Sequence, residues 1–380
     1  MGNSPTKSKE LKNSSSTSSS SASSSSKITP QVEKTFRNLV GNSGDHLTIE
    51  HLKKVFNEGL AEDLWKFLSD SKPFDGRLTL AEFARHVDRL WGTSTDIYVL
   101  ICQPILHLIK QCAEAAGAPA MAGDEQFISN LARNMSENCS SVEKVISWKN
   151  SVCPAFCNGL QAQVLHILLG QEHPVADYSS DILTPIQMWY IQCCLPSVFF
   201  PSAKVAEVAI HGISVNRFEH NVFDYKGPTV SVFQLTDKKV FVLSTEETWR
   251  HSASRYGGTM TKLFEVSPEL MVWSPSSPIY SNFRIRSAAF GISFSDVLKI
   301  DKELGNVASV EVWGCASSNA LEDQQRLRIW QNKQAEKNRK VPLPGNWDDN
   351  PDKTILEMGG FQFSDERKRM EMEKMARDLS

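Results

Sequence analysis

Met1-Gly2-Asn3-Ser4-Pro5-Thr6 fits the M-G-x-x-x-[ST] pattern of N-myristoylation. That chemistry needs a glycine at the new N-terminus once methionine is removed, and Gly2 supplies it. Thr6 and Lys7 complete the pattern. One acyl chain binds a membrane only marginally, so a second signal is expected. Lys7, Lys9 and Lys12, with Lys27 and against Glu10, supply an electrostatic one. Phosphates on the neighbouring serines would cancel that charge. Other candidate chemistry is weaker. Cys153 and Cys157 lie four apart, off the zinc-knuckle spacing, and a site with His166 and His173 rests on spacing alone. His251, Ser252 and Ser254 are sequence neighbours, but no acidic residue is marked beside them, and they read as loop residues. His211 before Gly212, and Tyr256-Gly257-Gly258-Thr259, read as turns. No G-x-S-x-G, phosphate loop or H-E-x-x-H is present. No catalytic residue, resident metal or cofactor is therefore assigned.

Asp75-Gly76, followed by Leu78, Thr79 and Glu82, resembles the second half of an EF-hand loop running from Ser71 to Glu82. Gly76 would make the sharp turn, Leu78 would be the central apolar residue and Glu82 the bidentate ligand. Asp75, Thr79 and Glu82 are the weak metal candidates. The ligand pattern is incomplete, because Ser71 and Pro73 stand at the first and third positions. An upstream copy is more degraded: Leu47 stands where Leu78 does, and His51 takes the glutamate position. The expectation is a degenerate EF-hand pair, folded without calcium.

The elements that would position these residues follow from periodicity. Leu60, Leu64, Trp65 and Leu68 repeat at helical spacing before the loop, and Leu80, Phe83, Ala84, Val87 and Leu90 after it. From Thr95 to Gly170 the pattern stays helical. Ile97 to Ile109, broken by Gln103, Pro104 and His107, reads as a buried helix, and no apolar run reaches the roughly 18 residues of a spanning helix. His107 and His166 read as satisfied core histidines. Beyond Val205 the pattern becomes β-like. Thr229–Leu235 alternates, Thr236-Asp237-Lys238-Lys239 turns, and Val240–Leu243 returns. Leu263–Val266, Leu270–Trp273 and Ser309–Trp313 are further strands. Leu321–Lys340 and Asp365–Leu379 read as charged helices. In the second, Met372, Met375, Ala376 and Leu379 share a face, and methionines suit an adaptable contact with a partner.

Whole-chain numbers bound the rest. The 380 residues carry a formal net charge of −3, which argues against nucleic acid as the main partner. Residues 1–27 hold 13 serines, too polar to offset their ordering entropy. No secretory signal is expected. With eight cysteines in such a chain, reduced and buried thiols are expected.

One ordered set of segments carries a family resemblance. His211-Gly212-Ile213-Ser214 is followed by Phe218, Val222 and Gly227-Pro228-Thr229-Val230. Then come Val240-Phe241-Val242, Trp249, Tyr256-Gly257, Leu263-Phe264, Ser267-Pro268, Phe290-Gly291-Ile292 and Glu311-Val312-Trp313-Gly314. This order resembles the TLDc domain family. Gly2, the decayed loops, Thr184-Pro185 through Leu195-Pro196, and Thr354 to Gly360 look like its EAK-type branch, the N-myristoylated, TOR- and insulin-signalling-associated TLDc proteins, as a divergent invertebrate homologue. The family's glycine-rich stretch has no counterpart in Tyr280 to Phe290.

The resemblance implies an α+β chain in four parts. Residues 1–28 are a serine-rich tether, 29–180 a helical EF-hand-like module, 181–316 a TLDc antiparallel β-sandwich with flanking helices, and 317–380 a charged helical extension. It implies a non-enzymatic adaptor in TOR or insulin–FoxO signalling that binds subunits of the vacuolar-type proton ATPase. The location implied is the cytoplasmic face of the plasma membrane or lysosome, with a cytosolic pool. Alternatives are a calcium-responsive regulator acting through the residual loop and a stress- or oxidation-resistance factor. Met372, Met375 and Leu379 are the candidate partner contacts.

Overall fold

The computed structural model describes residues 28–41, 44–137, 141–199, 206–209, 214–285, 289–315, 326, 329–337, 351–360 and 366–378. Gly2, Lys7, Lys9, Lys12, His211 and Leu379 lie outside them.

Nine helices among the described residues precede the β-rich half: α1 (Pro30–Val40), α2 (Ile49–Lys53), α3 (Glu58–Leu68), α4 (Leu80–Leu90), α5 (Asp96–Ile101), α6 (Ile105–Ala115), α7 (Glu125–Glu137), α8 (Val142–Val152) and α9 (Asn158–Leu169). Local chemistry sets their ends. Thr29 and Asn57 accept backbone N–H bonds at the starts of α1 and α3, Pro30 opens α1, and Gly170 closes α9 in the left-handed region. The expected single helix over Ile97–Ile109 is two helices. Pro104 cannot continue α5 and stands instead at the N-cap of α6. Leu100 and Leu106, near the break, are exposed.

Helix α10 (Pro185–Cys194), started by Pro185 and a Thr184–Gln187 capping box, leads into the strands. These are β1 (Ala206–Ala209), β2 (Thr229–Leu235), β3 (Val240–Thr245), β4 (Lys262–Ser267), β5 (Met271–Trp273), β6 (Ile279–Ser281), β7 (Phe290–Phe294), β8 (Leu298–Asp301) and β9 (Val307–Gly314), with the short α11 (Val215–Phe218) between β1 and β2. Six form an antiparallel sheet in the order β1-β9-β2-β3-β4-β5, and β6-β7-β8 form a second. This is the expected α+β arrangement.

The large sheet is apolar on both faces. Phe233, Phe241, Leu243, Leu263, Val310 and Val312 pack against Ile279, Ile292, Phe294, Leu298 and Ile300 of the small sheet. The alternate residues Val230, Val232, Val242, Phe264 and Trp313 turn the other way and join a cluster that runs back to Val32 through α1, α3, α4, α6 and α10. Antiparallel sheets commonly leave one face wet; here the helices cover it. Polar clasps reinforce the contact. The Glu311 carboxylate accepts from the Asp181 N–H and the Ser180 hydroxyl, both at 2.6 Å. Lys262 Nζ donates to the Cys194 carbonyl at 2.8 Å, and Asn130 Nδ2 to the Pro268 carbonyl at 2.8 Å.

Candidate functional site

The loop after β3 gathers the polar residues of the sandwich edge. β3 delivers Glu246 and Glu247 there, and Trp249 pins the loop by donating its indole N–H to the Thr229 hydroxyl at 2.9 Å. Glu246 accepts from the Met260 N–H at 3.0 Å and the Thr261 hydroxyl at 2.9 Å. A side chain at Gly258 would overlap the Glu246 carboxylate, so a glycine there makes room for it. Glu247 accepts from the Gly257 N–H at 3.3 Å and from Arg250 at 2.9 Å. The Arg250 guanidinium stands 4.2 Å from the centre of the Tyr256 ring. The Tyr256 hydroxyl meets Ser281 Oγ at 2.6 Å, and Ser281 donates to the Arg250 carbonyl at 2.7 Å. Burial raises the Tyr256 phenol above its ordinary value, so it stays protonated. Both acids are thus committed to holding the loop; of the expected turn over Tyr256–Thr259, Tyr256 instead bridges Ile279, and the turn closes between Gly258 and Thr261.

His251 has the acidic neighbour that its own segment does not show. Its Nε2 lies 3.0 Å from Glu219 Oε1, and its ring packs 4.8 Å from Phe223. Burial, then the Arg284 charge, lowers its pKa. Glu219 is 32 positions upstream, so no local pattern could reveal the pair. The Ser252 hydroxyl donates to the Ser254 carbonyl at 2.7 Å rather than to His251. A nucleophile-to-base hydrogen bond is therefore missing from the described geometry.

The second candidate is the loop between α3 and α4. Leu47 and Leu78 form a two-way antiparallel bridge, each N–H donating to the other's carbonyl at 2.9 Å. The bridge ties this loop to the one before α2. Glu82 turns back to cap α4: Oε2 accepts from the Thr79 N–H at 2.9 Å and from its hydroxyl at 3.1 Å. Its other oxygen meets Lys72 Nζ at 2.5 Å. The Lys72 ammonium, then the Thr79 N–H, holds the carboxyl down at about 2. Asp75 is exposed. The sequence reading placed Asp75, Thr79 and Glu82 in the loop and missed Lys72, whose role shows only when the loop is folded.

The cysteines and histidines do not assemble as a metal site. Cys112 and Cys157 stand 3.8 Å apart in the core, and burial drives the Cys112 thiol well above its ordinary value. Cys153 belongs instead with Cys193 and Cys194. His173 bonds the Ala115 carbonyl at 2.9 Å. His166, expected in the core, is exposed at the end of α9, because its side of the helix faces away from the apolar stripe of Leu160, Val164 and Leu168. His107 is satisfied as expected, by Asp63 at 2.6 Å. Among the described residues, no group of three or more His, Cys, Asp or Glu is placed to hold a metal ion.

The C-terminal segments are helical over 329–337, Pro351–Met358 and Glu366–Asp378. Met372 and Met375 are 66% and 68% exposed, and Met358, Met370 and Ile355 are exposed too. The apolar residues of these helices thus face solvent rather than their own core.

The family model of the TLDc domain matches residues 176–331. This chain contains a TLDc domain. The match spans α10, both sheets and the start of the C-terminal extension, and so includes the clasped loop of Glu246, Glu247 and Tyr256. It opens five residues before the expected boundary at 181 and so adds Ser180, which with Asp181 binds Glu311. A TLDc domain points to a regulatory role of the oxidation-resistance type, in a family whose members are generally not enzymes. No curated protein matches the chain. No helix among the described residues is long and apolar enough to cross a membrane.

Proposed function

We propose that this TLDc protein is a non-enzymatic adaptor, held at a cytoplasmic membrane face by a myristoyl group on Gly2 and by Lys7, Lys9 and Lys12. It docks partners through its TLDc domain and C-terminal helices. The observation that carries the reading is the exposed apolar face of those helices, with Met372 and Met375 at its centre and Leu379 next in the same register. Methionine side chains adapt to a foreign groove at little cost, which suits a docking surface. The partners we assign are subunits of the vacuolar-type proton ATPase, upstream of TOR or insulin–FoxO signalling, at the lysosome or plasma membrane. The Gly2 motif and the order of the TLDc segments support that assignment.

Two measurements test it. Acyl labelling of the full chain should mark the wild type and not Gly2→Ala, and the variant should leave the membrane fraction. Survival of both label and membrane fraction in the variant would refute the anchor. Deleting residues 361–380 should reduce co-purification of ATPase subunits from membranes while leaving the melting temperature unchanged. A large fall in melting temperature would instead mean that the helix packs on its own chain.

A second reading, a calcium-responsive regulator, rests on Ser71–Glu82. The contact of Glu82 with Lys72 counts against it.

A further inference from the structure

The two loops joined by the Leu47–Leu78 bridge end on different side chains that do the same local task. His51 Nδ1 accepts from the Thr48 N–H at 3.1 Å at the start of α2, as Glu82 Oε2 accepts from the Thr79 N–H at 2.9 Å at the start of α4. Burial, then the Lys54 charge, lowers the His51 pKa, so the first loop ends on a neutral acceptor that needs no counter-ion. The second loop ends on a carboxylate, and a carboxylate there needs positive charge. In a cation-binding loop of this kind the last glutamate gives both oxygens to the ion. Here one oxygen goes to the helix cap and the other to Lys72 Nζ at 2.5 Å.

The lysine is placed for this by its backbone. Asp70 and Ser71 both take positive φ, at 53° and 65°, and reverse the chain after α3. The Lys72 N–H donates to Ser69 Oγ at 3.1 Å, and the Lys72 carbonyl accepts from the indole N–H of the buried Trp65 at 3.2 Å. Its backbone is thus held from both sides, and its side chain returns over the start of α4.

We propose that the Lys72 ammonium is the permanent cation of this loop, holding Glu82 as a divalent metal ion would, so that the bridged helix–loop–helix pair stays assembled at any calcium concentration. The first loop ends on a neutral histidine and needs no ion. The second ends on an acid and takes the positive charge from its own chain. Its acids, Asp75 and Glu82, would accept a metal ion only once the ammonium is gone.

Trp65 provides the readout, since its indole touches the loop and can sensitise terbium emission. Full-length wild type, Lys72→Arg, Lys72→Met and the double variant Lys72→Met/Glu82→Gln are titrated with terbium. Each is then melted in calcium and in chelator. Wild type and Lys72→Arg should show no saturable emission and no calcium-dependent shift in melting temperature. Lys72→Met should gain saturable emission, with a calcium midpoint of about 0.1–1 mM, the weak end for such loops. The double variant should lose it. Glu82-dependent emission in the wild type would overturn the proposal, as would a silent but folded Lys72→Met. Equal gain in Lys72→Arg and Lys72→Met would overturn it too, because the charge would then not be the agent. If Lys72→Met does not fold, Lys72→Gln takes its place under the same criteria.

Discussion

Lys149 on α8 is only 2% exposed, and it is paired there. Its Nζ donates to Thr95 Oγ1 and forms an ion pair with Asp96 Oδ1, both at 2.7 Å, at the start of α5. The ammonium is the first cause of the lowered Asp96 pKa. Removing the carboxylate would leave a buried cation with one hydroxyl. Asp96→Ala should therefore cost about 2–3 kcal/mol, somewhat less than a fully buried broken pair because Asp96 is partly exposed. Urea unfolding at unchanged slope would read it. Glu82 gives a prediction of opposite kind. Its carboxyl is held from 4.5 down to about 2, so the stability it contributes is complete above 4.5 and is lost as pH falls through about 2. The melting-temperature gap between wild type and Glu82→Gln should stay constant above pH 4.5 and close toward pH 2. A gap that widened on acidification would contradict the assignment. Neither ion pair was legible in the sequence. Lys149 and Asp96 are 53 positions apart, and no local pattern marks Lys72. Glu82 was singled out as the last residue of a loop, whereas its part in the Thr79 capping box is a local pattern that the loop reading passed over.

At the scale of elements, β2, β3, β4 and β9 were legible because their residues alternate or are β-branched over four or more positions. The small sheet was not. β6 has three residues, and β7 mixes Gly291 and Ser293 among its apolar ones, so neither carries a clear period. The break between α5 and α6 falls at Pro104, an interruption visible in the sequence, although the apolar residues on both sides favour a helix through it. The two-sided burial of β4 makes a test. Phe264 faces the helices and is fully buried among them. Phe264→Ala should cost about 3–5 kcal/mol, measured by denaturant unfolding, and Met271→Ala on the exposed β5 should cost little. Comparable losses would mean that the helices do not press on the sheet as described.

For the whole molecule, the periodicity changes beyond Val205, after α10, and the core is continuous across that change. The same apolar cluster runs from α1 to β9, and Glu311, 6% exposed, is satisfied by Ser180 and Asp181 from the helical side. A fragment of residues 28–331 should therefore melt in one transition. The fragment 176–331 alone would bare Val230, Val232, Val242, Phe264 and Trp313 and should aggregate or bind a hydrophobic dye. A soluble, cooperatively folded 176–331 would overturn the shared core. The shared core also decides how the molecule would carry load. Strand β9 is paired along its length with β2 and over Glu311–Gly314 with β1, and the Cys315 N–H, just beyond it, donates to the Pro228 carbonyl. Tension from a partner gripping the C-terminal helices would enter along the axis of that strand. It would strain the flanking hydrogen bonds in shear, all together, instead of peeling them one by one. The sheet and the helices beneath it would then resist as one unit, since the core they share gives way only as a whole.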